Sequence, residues 1–221
     1  MQPIFQAGRR SIQPEILDDL EPQAAQASLR DLIRINRYLG GHEASRKAFA
    51  TVAPAGHFTV LDVGAASGDT GAALKQRFPH AQVTSLDYKL SHLNRAAAPK
   101  IAGDAFQLPF APDSFDFVHC SLFLHHFPDA SVVQLLQGFR TVAREAVIVN
   151  DLERHRLAYY FLPATRWLLR WDPVTVHDGP ISVQAAFRPQ ELQRLAEKAG
   201  LRDVKTQVYR PAFRITMVGK V

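Results

Sequence analysis

The stretch that decides the fold is Val60-Leu61-Asp62-Val63-Gly64-Ala65-Ala66-Ser67-Gly68-Asp69-Thr70-Gly71. Its apolar start predicts a buried strand, and its small residues predict a turn that leads into a helix. Gly64 and Gly68 lack side chains where a backbone must bend sharply or let a ligand come close. Asp62 closes the strand and Asp69 opens the helix, so two carboxylates flank the turn. A pyrophosphate prefers bare amides and a positive helix end, so these acids favour a ligand with cationic groups instead.

Two further acids follow where a nucleoside-binding sheet needs them. Residues 81–86 predict the next parallel strand, and Asp87 ends it. An acid about 20 residues after the glycine turn can bind both ribose hydroxyls. Asp104 lies in a short loop, where its carboxylate can accept a hydrogen bond from an adenine amino group. The next backbone N–H, that of Ala105, can donate to the ring.

At these residues the chain resembles the class I S-adenosylmethionine-dependent methyltransferases. It is most similar to their small-molecule branch, which includes the ubiquinone/menaquinone-biosynthesis type. The resemblance runs from about Phe58 to Asp151, and the order of its parts makes it specific. Residues 62–68 stand for the family's acid-x-Gly-x-Gly-x-Gly, although Ala66 replaces the usual middle glycine. The later parts are Asp87, Gly103-Asp104-Ala105, Ser114-Phe115-Asp116-Phe117-Val118 and Phe123-Leu124-His125-His126-Phe127.

The resemblance implies S-adenosylmethionine as the cofactor and an α/β fold. That fold is a Rossmann-like doubly wound sheet, mostly parallel, with an antiparallel C-terminal edge hairpin. N-terminal helices and a helical lid insertion complete it. The cofactor-binding residues that the resemblance implies are Asp62, Gly64, Ala66, Ser67, Gly68, Asp87, Tyr88, Asp104, Ala105 and Ser121.

Length and composition agree with one large α/β domain. The 221 residues, 47% of them hydrophobic, can form such a domain with a full core. Cys120 is the one cysteine, so no disulfide forms within the chain and we expect a reducing, cytoplasmic compartment. We expect neither a signal peptide nor a transmembrane span. The net charge of +5 comes with scattered arginines, which favours a solvated surface over a nucleic-acid face.

The sequence divides into four parts of a single domain. Residues 1–57 form an N-terminal helical cap, 58–151 the cofactor-binding core, 152–188 the lid and acceptor region, and 189–221 the C-terminal helix and strands. The cap either covers the substrate pocket or simply packs against the sheet. Alternating strands and helices imply a parallel sheet with ligands at the carboxyl ends of its strands.

The predicted elements follow this division. Strands are predicted near 58–63, 81–86, 99–102, 115–120, 145–150, 201–210 and 212–220. Helices are predicted near 28–39, 43–52, 69–78, 89–97, 129–143 and 189–199. Another helix is predicted near 154–171, interrupted by Pro163, and a long loop is predicted over 172–183.

The loop after the fourth strand disfavours several acceptor classes. Methylation of a nucleobase amino group usually uses an Asn/Asp-Pro-Pro-aromatic turn, where this chain has Cys120-Ser121-Leu122-Phe123. Because no proline precedes Cys120, we interpret it as a core residue and not as the nucleophile of a cytosine methyltransferase. Asn150-Asp151 alone is too little for a magnesium site of the catechol-methylating type. We therefore expect methyl transfer without a metal.

Histidines are the candidate catalytic residues. A sulfonium is already a strong electrophile, so the protein mainly aligns the acceptor and can remove a proton. Histidine is the natural base near neutral pH, and the candidates are His126, His125 and His177. Two alternatives stay open. The Leu-His-His-Phe segment can instead position backbone and cap a helix, and an acidic phenol or enol needs no base.

The segment from Tyr159 to Trp171 lies where the family builds its acceptor lid. Its aromatic residues line an apolar pocket, contact a membrane surface together with Arg166 and Arg170, or pack in the core. The sequence leaves these three interpretations open. Trp167 and Trp171 are four residues apart, so on one helix they share a face.

The predicted function is S-adenosylmethionine-dependent methyl transfer to a small, largely apolar phenol, quinol or polyketide-like acceptor, at oxygen and without metal. The alternatives are C-methylation of a quinone precursor, an RNA methyltransferase and a non-catalytic cofactor-binding protein. The predicted partner is the small-molecule acceptor, with no nucleic acid. We also predict a transient membrane-surface contact through the lid. The predicted oligomeric state is a monomer or a homodimer.

Overall fold

The structure is a computed structural model, and the residues that it describes are 5–6, 8–21, 23–97, 99–210 and 212–221. The side chains of Asp18 and Asp19 are not among the described groups. Residues 1–4, 7 and 22 of the predicted N-terminal cap therefore lie outside the described part of the chain.

A seven-stranded sheet forms the centre of the fold. Its strands are β1 (Phe58–Val63), β2 (Ala81–Asp87), β3 (Lys100–Ala102), β4 (Phe115–Ser121), β5 (Ala143–Leu152), β6 (Arg202–Tyr209) and β7 (Arg214–Lys220). The spatial order is β3-β2-β1-β4-β5-β7-β6. The first five strands pair in parallel, and β7 runs antiparallel between β5 and β6. The predicted mostly parallel sheet with an antiparallel C-terminal edge hairpin is confirmed.

Helices surround this sheet and precede it. They are α1 (Ile16–Asp19), α2 (Gln26–Tyr38), α3 (Gly41–Ala50), α4 (Asp69–Arg77), α5 (Asp129–Val142), α6 (Arg156–Leu169), α7 (Pro173–Ala185) and α8 (Pro189–Lys198). Two 3-10 turns lie at His92–Arg95 and Leu124–His126. Apart from the differences below, the predicted elements lie within a few residues of their observed positions.

Most of the core lies in two apolar layers on opposite faces of the sheet, and a small third cluster joins Ala65, Leu93 and Ala96. In β5, Val147 and Val149 pack with α5 and α8, whereas the alternate residues Ala146 and Ile148 pack with the layer that contains Phe49 of α3. Side chains alternate across a strand, so a strand covered on both faces must be apolar throughout. This is why β1, β4 and β5 carry nearly continuous apolar runs.

Two predicted elements are wrong. The helix expected over 89–97 is only the 3-10 turn His92–Arg95. The long loop expected over 172–183 is instead the helix α7, although it contains Pro180. Its start is capped, because the Asp172 carboxylate accepts a hydrogen bond from the N–H of Val174 at 3.0 Å. Gly179 allows close packing of α7 on α6, since a Cβ there would lie 2.3 Å from Leu162 Cδ1 and this side chain would have to shift.

The aromatic helix α6 also differs from its prediction. Pro163 lies inside the continuous helix and does not interrupt it, and the helix ends at Arg170, whose φ of 53° is left-handed. Trp167 and Trp171 therefore do not share a helix face: Trp167 is 79% exposed, while Trp171 is 9% exposed. Leu157 and Leu168 on α6 are exposed as well. Contact with a membrane surface stays a prediction, and sedimentation with anionic lipid vesicles would test it.

Within the described part of the chain, no helix combines the length and the apolar character that crossing a membrane requires.

Candidate active site

The turn after β1 passes through three residues with left-handed backbone. They are Gly64, Ala66 and Gly68, with φ values of 67°, 43° and 71°. At Gly64 a Cβ would lie 2.5 Å from a ring carbon of Phe123, so both conformation and space require glycine. Ala66 carries a Cβ in this conformation at a cost of about 1–2 kcal/mol. Its N–H donates to Asp87 Oδ2 at 3.0 Å, which holds the alanine where the resemblance places a glycine.

Asp62, at the end of β1, is buried with one oxygen unpaired. Its Oδ1 lies 2.8 Å from His119 Nδ1 on β4, and the two side chains are almost fully enclosed. Its Oδ2 is buried and has no hydrogen-bond partner among the described residues. Asp62 lines a small cavity of about 100 Å³, here called the small cavity. Because an unpaired buried carboxylate oxygen is costly, a cationic group bound in this cavity would stabilise it.

Asp69, the other acid that flanks the turn, is already bound by protein donors. Its Oδ2 lies 2.7 Å from His42 Nε2 and accepts from Asn36 Nδ2 at 3.3 Å, and its Oδ1 accepts from Ser67 Oγ at 2.7 Å. Burial acts to raise the pKa of Asp69, but the hydrogen bonds from His42 and Ser67 outweigh it and hold the pKa below its ordinary value. Asp69 therefore ties α2 and α3 to the turn.

Asp87, at the end of β2, organises the neighbouring backbone. Besides the bond from Ala66, its Oδ1 accepts from the N–H of Lys89 at 3.1 Å and lies 3.0 Å from His92 Nδ1. The side chain lies next to the glycine turn, as a ribose-binding acid requires. The contact with His92 was not anticipated from the sequence, since five residues separate the two and only the 3-10 turn brings them together.

The structure gathers some of the predicted cofactor residues around the small cavity and leaves others apart. Its lining includes Asp62, Gly64, Ala66, Ser67 and Ser121. Gly68 and Asp87 flank these residues without lining the cavity. Tyr88 is 78% exposed, and Asp104 is exposed and accepts from the N–H of Phe106 at 2.9 Å. Tyr88, Asp104 and Ala105 line neither the small cavity nor the larger one described next.

A larger cavity of about 500 Å³, here called the large cavity, adjoins the small one, since Leu32 and Leu122 line both. It lies under the N-terminal helices and the lid helices α6 and α7. The apolar part of its wall includes Leu32, Ile35, Leu39, Leu122, Leu152, Phe161, Leu162, Val174, Val183 and Phe213. Helix α2 thus borders both cavities. Trp167 and Trp171 line neither, so of the three interpretations left open for their segment, pocket lining does not apply to these two side chains, whereas Phe161 lines the large cavity.

His125 and Asp151 form a buried pair at the large cavity. Nδ1 of His125 lies 2.6 Å from Asp151 Oδ1, and the His125 N–H donates to Asp151 Oδ2 at 3.2 Å. Burial acts to lower the pKa of His125, but the carboxylates of Asp151 and Glu15 outweigh it and raise the pKa above its ordinary value. An Nδ1–H that donates to Asp151 leaves Nε2 as the proton-accepting nitrogen of the neutral ring.

His126 lines the same cavity in a different electrostatic state. Its ring packs against His125 with the ring centroids 4.2 Å apart. Burial lowers the pKa of His126 to about 3, and the neighbouring His125 acts in the same direction. His126 is therefore neutral near pH 7 and is a weak base there, because an efficient general base has a pKa close to the working pH.

His177, the third histidine candidate, is not brought to the cavity. Its side chain is 54% exposed and absent from the cavity wall, and its Nδ1 lies 2.8 Å from Asp178 Oδ1. Asp178 does line the large cavity. Its carboxylate accepts from the backbone N–H groups of Ile16 and Leu17, which anchors the short helix α1 over the cavity.

One group of side chains has the composition of a metal site. Glu15, His125 and His126 each place one ligand atom so that all three atoms lie within 4.8 Å of one another. The Glu15 carboxylate accepts from Ser182 Oγ at 2.5 Å, and Glu15 Oε1 lies 3.8 Å from His125 Nε2. The expectation of metal-free transfer stays a prediction.

Three functional candidates were not recognised from the sequence. Glu15 and Arg214 line the large cavity, and Asp151 orients His125 from the end of β5. The sequence signal for Asp151 was its position just after an apolar strand, where parallel sheets carry ligand-facing groups. Glu15 and Arg214 come from opposite ends of the chain, and no local pattern joins them.

The fold and the site define a Rossmann-like, cofactor-binding α/β protein. Residues 60–146 match a family model described as a methyltransferase domain. A demethylmenaquinone methyltransferase from Roseiflexus sp. (strain RS-1) is 29% identical over 175 residues, which cover 70% of this chain and 72% of that protein. A malonyl-[acyl-carrier protein] O-methyltransferase from Xylella fastidiosa (strain M23) is 37% identical over 93 residues, which cover 38% of this chain and 31% of that protein.

The solved structures agree in fold. The crystal structure of a SAM dependent methyltransferase from Aquifex aeolicus superposes with a TM-score of 0.65 at 16% identity, covering 92% of this chain and all of that one (100%). Together these findings support a class I S-adenosylmethionine-dependent methyltransferase, with S-adenosylmethionine as its cofactor. The unpaired Asp62 Oδ2 in the small cavity fits the ammonium group of this cofactor.

Replacing Asp87 by alanine tests its place in the cofactor site. We expect S-adenosylmethionine binding to weaken by about 1.5–3 kcal/mol, the scale for losing hydrogen bonds to a charged group. Because Asp87 also accepts from Ala66 and Lys89, we expect the free energy of unfolding to fall by about 1–3 kcal/mol as well.

Calorimetric titration and thermal unfolding measure the two effects of Asp87→Ala separately. Asp203→Ala is the matched control, because it removes an exposed acid that pairs with Lys220 on the edge hairpin. An unchanged dissociation constant in folded Asp87→Ala protein contradicts the ribose-binding role.

Proposed function

We propose that this methyltransferase methylates the hydroxyl oxygen of a small, largely apolar phenol, quinol or polyketide-like acceptor. The observation that carries the proposal is the large cavity. Its volume of about 500 Å³ and its mainly apolar wall suit an aromatic molecule of drug-like size. It adjoins the small cavity through Leu32 and Leu122, so an acceptor in one lies beside a cofactor in the other.

We propose His125 as the general base of this site. Its Nδ1 is held by Asp151, which fixes the ring and leaves Nε2 to take the proton of the acceptor hydroxyl. The imidazolium that results is stabilised by the carboxylates of Asp151 and Glu15, which already raise the pKa of His125. The residues of the small cavity hold the cofactor, which supplies a methyl group bound to a positively charged sulfur.

His126 has a supporting role in this proposal and is not the base. A neutral ring with a pKa of about 3 neither competes for the proton nor adds charge to the cavity. It packs on His125 and thereby helps to fix the plane of the basic ring. The proposal thus transfers the role of base from His126, the first candidate of the sequence, to His125.

Carbon methylation of a quinone precursor is the second candidate function. The relative from Roseiflexus is named for demethylmenaquinone, and it aligns with 70% of this chain. A quinol hydroxyl that loses its proton to His125 activates the adjacent ring carbon as well as the oxygen, so the same base serves either reaction. The position of the acceptor in the large cavity then decides which atom receives the methyl group.

Product analysis with a labelled cofactor tests the proposal. The enzyme is incubated with S-adenosylmethionine carrying a deuterated methyl group and with either 1-naphthol or 1,4-dihydroxynaphthalene under reducing conditions. We expect a labelled methyl ether, identified by mass spectrometry and NMR. Label on a ring carbon would replace the proposal by carbon methylation, and no labelled product from a panel of phenols and quinols would overturn both.

A further inference from the structure

Arg214, the first residue of β7, is a buried cation that forms no ion pair with any described residue. Its side chain is 1% exposed. Nη2 donates to Asn36 Oδ1 at 2.9 Å, and Nη1 has no partner among the described residues. Buried arginines are normally paired with a carboxylate, because an unpaired buried charge is strongly unfavourable. Within the described part of the chain, no ion pair forms at Arg214.

Arg154 is a second buried arginine, and it differs from Arg214 because protein groups bind its guanidinium. Its Nη2 pairs with Glu191 Oε1 at 2.5 Å and with the Gly8 carbonyl at 3.0 Å, and its Nη1 donates to the Ala186 carbonyl at 2.8 Å. Arg154 does not line the large cavity, whereas Arg214 does. Arg214 therefore belongs to the wall of the large cavity and has no carboxylate partner among the described residues.

Arg214 and the proposed base His125 line the same cavity, near the end of β5. Arg214 pairs with Leu152 across the antiparallel strands, and the preceding residue of β5 is Asp151, which holds His125. Burial lowers the pKa of Arg214 to about 10, against the opposing effect of Asp151 and Asp69, so the side chain remains a cation near pH 7. A mainly apolar cavity thus has a fixed positive group at the end of the sheet where the base lies.

We propose that Arg214 is an anion-binding subsite of the large cavity and that the acceptor is a hydroxy-aromatic carboxylate. This inference rests on the proposed function and narrows its substrate class. A carboxylate matches the fork of a guanidinium and would pair with the nitrogen that lacks a partner. Held in this way, the acceptor has one orientation in an otherwise apolar cavity, and its hydroxyl group is presented to His125.

Two probes that differ only in the carboxylate test the subsite. 1-Hydroxy-2-naphthoate and 1-naphthol are titrated calorimetrically into the protein saturated with S-adenosylhomocysteine, so that no turnover occurs. We expect wild-type protein to bind the carboxylate about tenfold or more tightly than 1-naphthol, the scale of a charged hydrogen bond. Arg214→Met should abolish this preference and leave 1-naphthol binding near its wild-type value. Arg214→Lys should keep part of the preference.

Lys220→Met is the matched control, because it removes one positive charge from the exposed end of the same strand. It should keep the preference, which excludes an effect of net charge. Arg214→Met should unfold at the same or a higher temperature than wild type, since an unpaired buried charge is replaced by an apolar side chain.

Equal binding of the two probes by wild-type protein would overturn the subsite, as would a preference that survives in folded Arg214→Met. These outcomes do not depend on methyl transfer. A carboxylate preference without methylation of any phenol would overturn only the proposed function, and O-methylation without the preference would overturn only the subsite.

Discussion

His125→Ala is expected to reduce the rate of methyl transfer by about 10²–10⁴-fold, the usual contribution of a positioned general base. The reason is the geometry of the large cavity, where His125 is held by Asp151, while the pKa of His126, the neighbouring histidine in the cavity wall, is lowered to about 3. Cofactor affinity should stay near wild type, because His125 does not line the small cavity. Initial rates with a saturating phenolic acceptor measure the effect.

Two other histidine variants serve as a control and as a test of the alternative base. His80→Ala removes an exposed histidine outside both cavities and should leave the rate unchanged. His177→Ala examines the alternative that the sequence suggested, a base supplied from the lid. A rate loss in His177→Ala as large as that in His125→Ala would contradict the assignment of the base to His125.

The pH dependence of the rate should report the same group. A base must be deprotonated to act, so the rate should rise with pH through the raised pKa of His125. Asp151→Asn removes the carboxylate that raises this pKa, and it should shift the midpoint of the profile to lower pH while also lowering the maximum rate. A midpoint that stays in place in Asp151→Asn would show that the titrating group is not His125.

The buried pair of His125 and Asp151 predicts how the stability of the fold changes with pH. The pKa of His125 is raised by folding. Its contribution to the free energy of unfolding is therefore complete below the unfolded-state pKa and is lost as pH rises through the folded-state pKa. The pKa of Asp151 is lowered by folding, so its contribution is present above the unfolded-state pKa and is lost as pH falls through the folded-state pKa. The pair therefore stabilises the fold most between the ordinary pKa values of a carboxylic acid and of histidine.

Trp171→Ala is expected to lower the free energy of unfolding by about 3–5 kcal/mol, the scale for truncating a buried large aromatic side chain. Trp171 is 9% exposed, and its Nε1 donates to Thr165 Oγ1 at 3.0 Å. The guanidinium of Arg34 on α2 lies 4.6 Å from its ring centroid, so the side chain joins the lid to the N-terminal helices. Denaturant unfolding monitored by circular dichroism measures the change.

Trp167→Ala is the matched control for this prediction. Trp167 is the same residue type in the same segment but is 79% exposed, so its replacement should change stability by no more than about 0.5 kcal/mol. Cofactor binding should be normal in both variants, since neither side chain lines the small cavity. Equal and small losses of stability in the two variants would contradict the packing role of Trp171.

The sequence by itself determined the parts of this protein that depend on local pattern. Residues 60–71 predicted the strand, the turn and the helix, because the left-handed φ values at Gly64 and Gly68 require glycine wherever such a turn occurs. The alternation of strands and helices over residues 58–151 predicted a parallel sheet, since parallel neighbours need a crossover connection between them. The acids Asp62 and Asp69 favoured a ligand with cationic groups, and the resemblance carried by residues 62–68, Asp87 and 103–105 implied the cofactor.

The tertiary structure alone decided what depends on contacts between distant segments. Residues 173–185 form a helix despite Gly179 and Pro180, because Asp172 is held by Ser28 and Asp31 of α2 and Gly179 allows α6 to approach closely. Their local preferences predicted a loop, and packing outweighed them.

The chemistry of the large cavity was decided in the same way. His125 and His126 are adjacent in the sequence and of one residue type, yet the pKa of one is raised and that of the other is lowered. The difference arises from Asp151 and Glu15, which reach His125 from other parts of the chain. Burial and charge at a site depend on all the elements that surround it, so Arg214 became a candidate only when folding placed it in the cavity wall without an ion pair to any described residue.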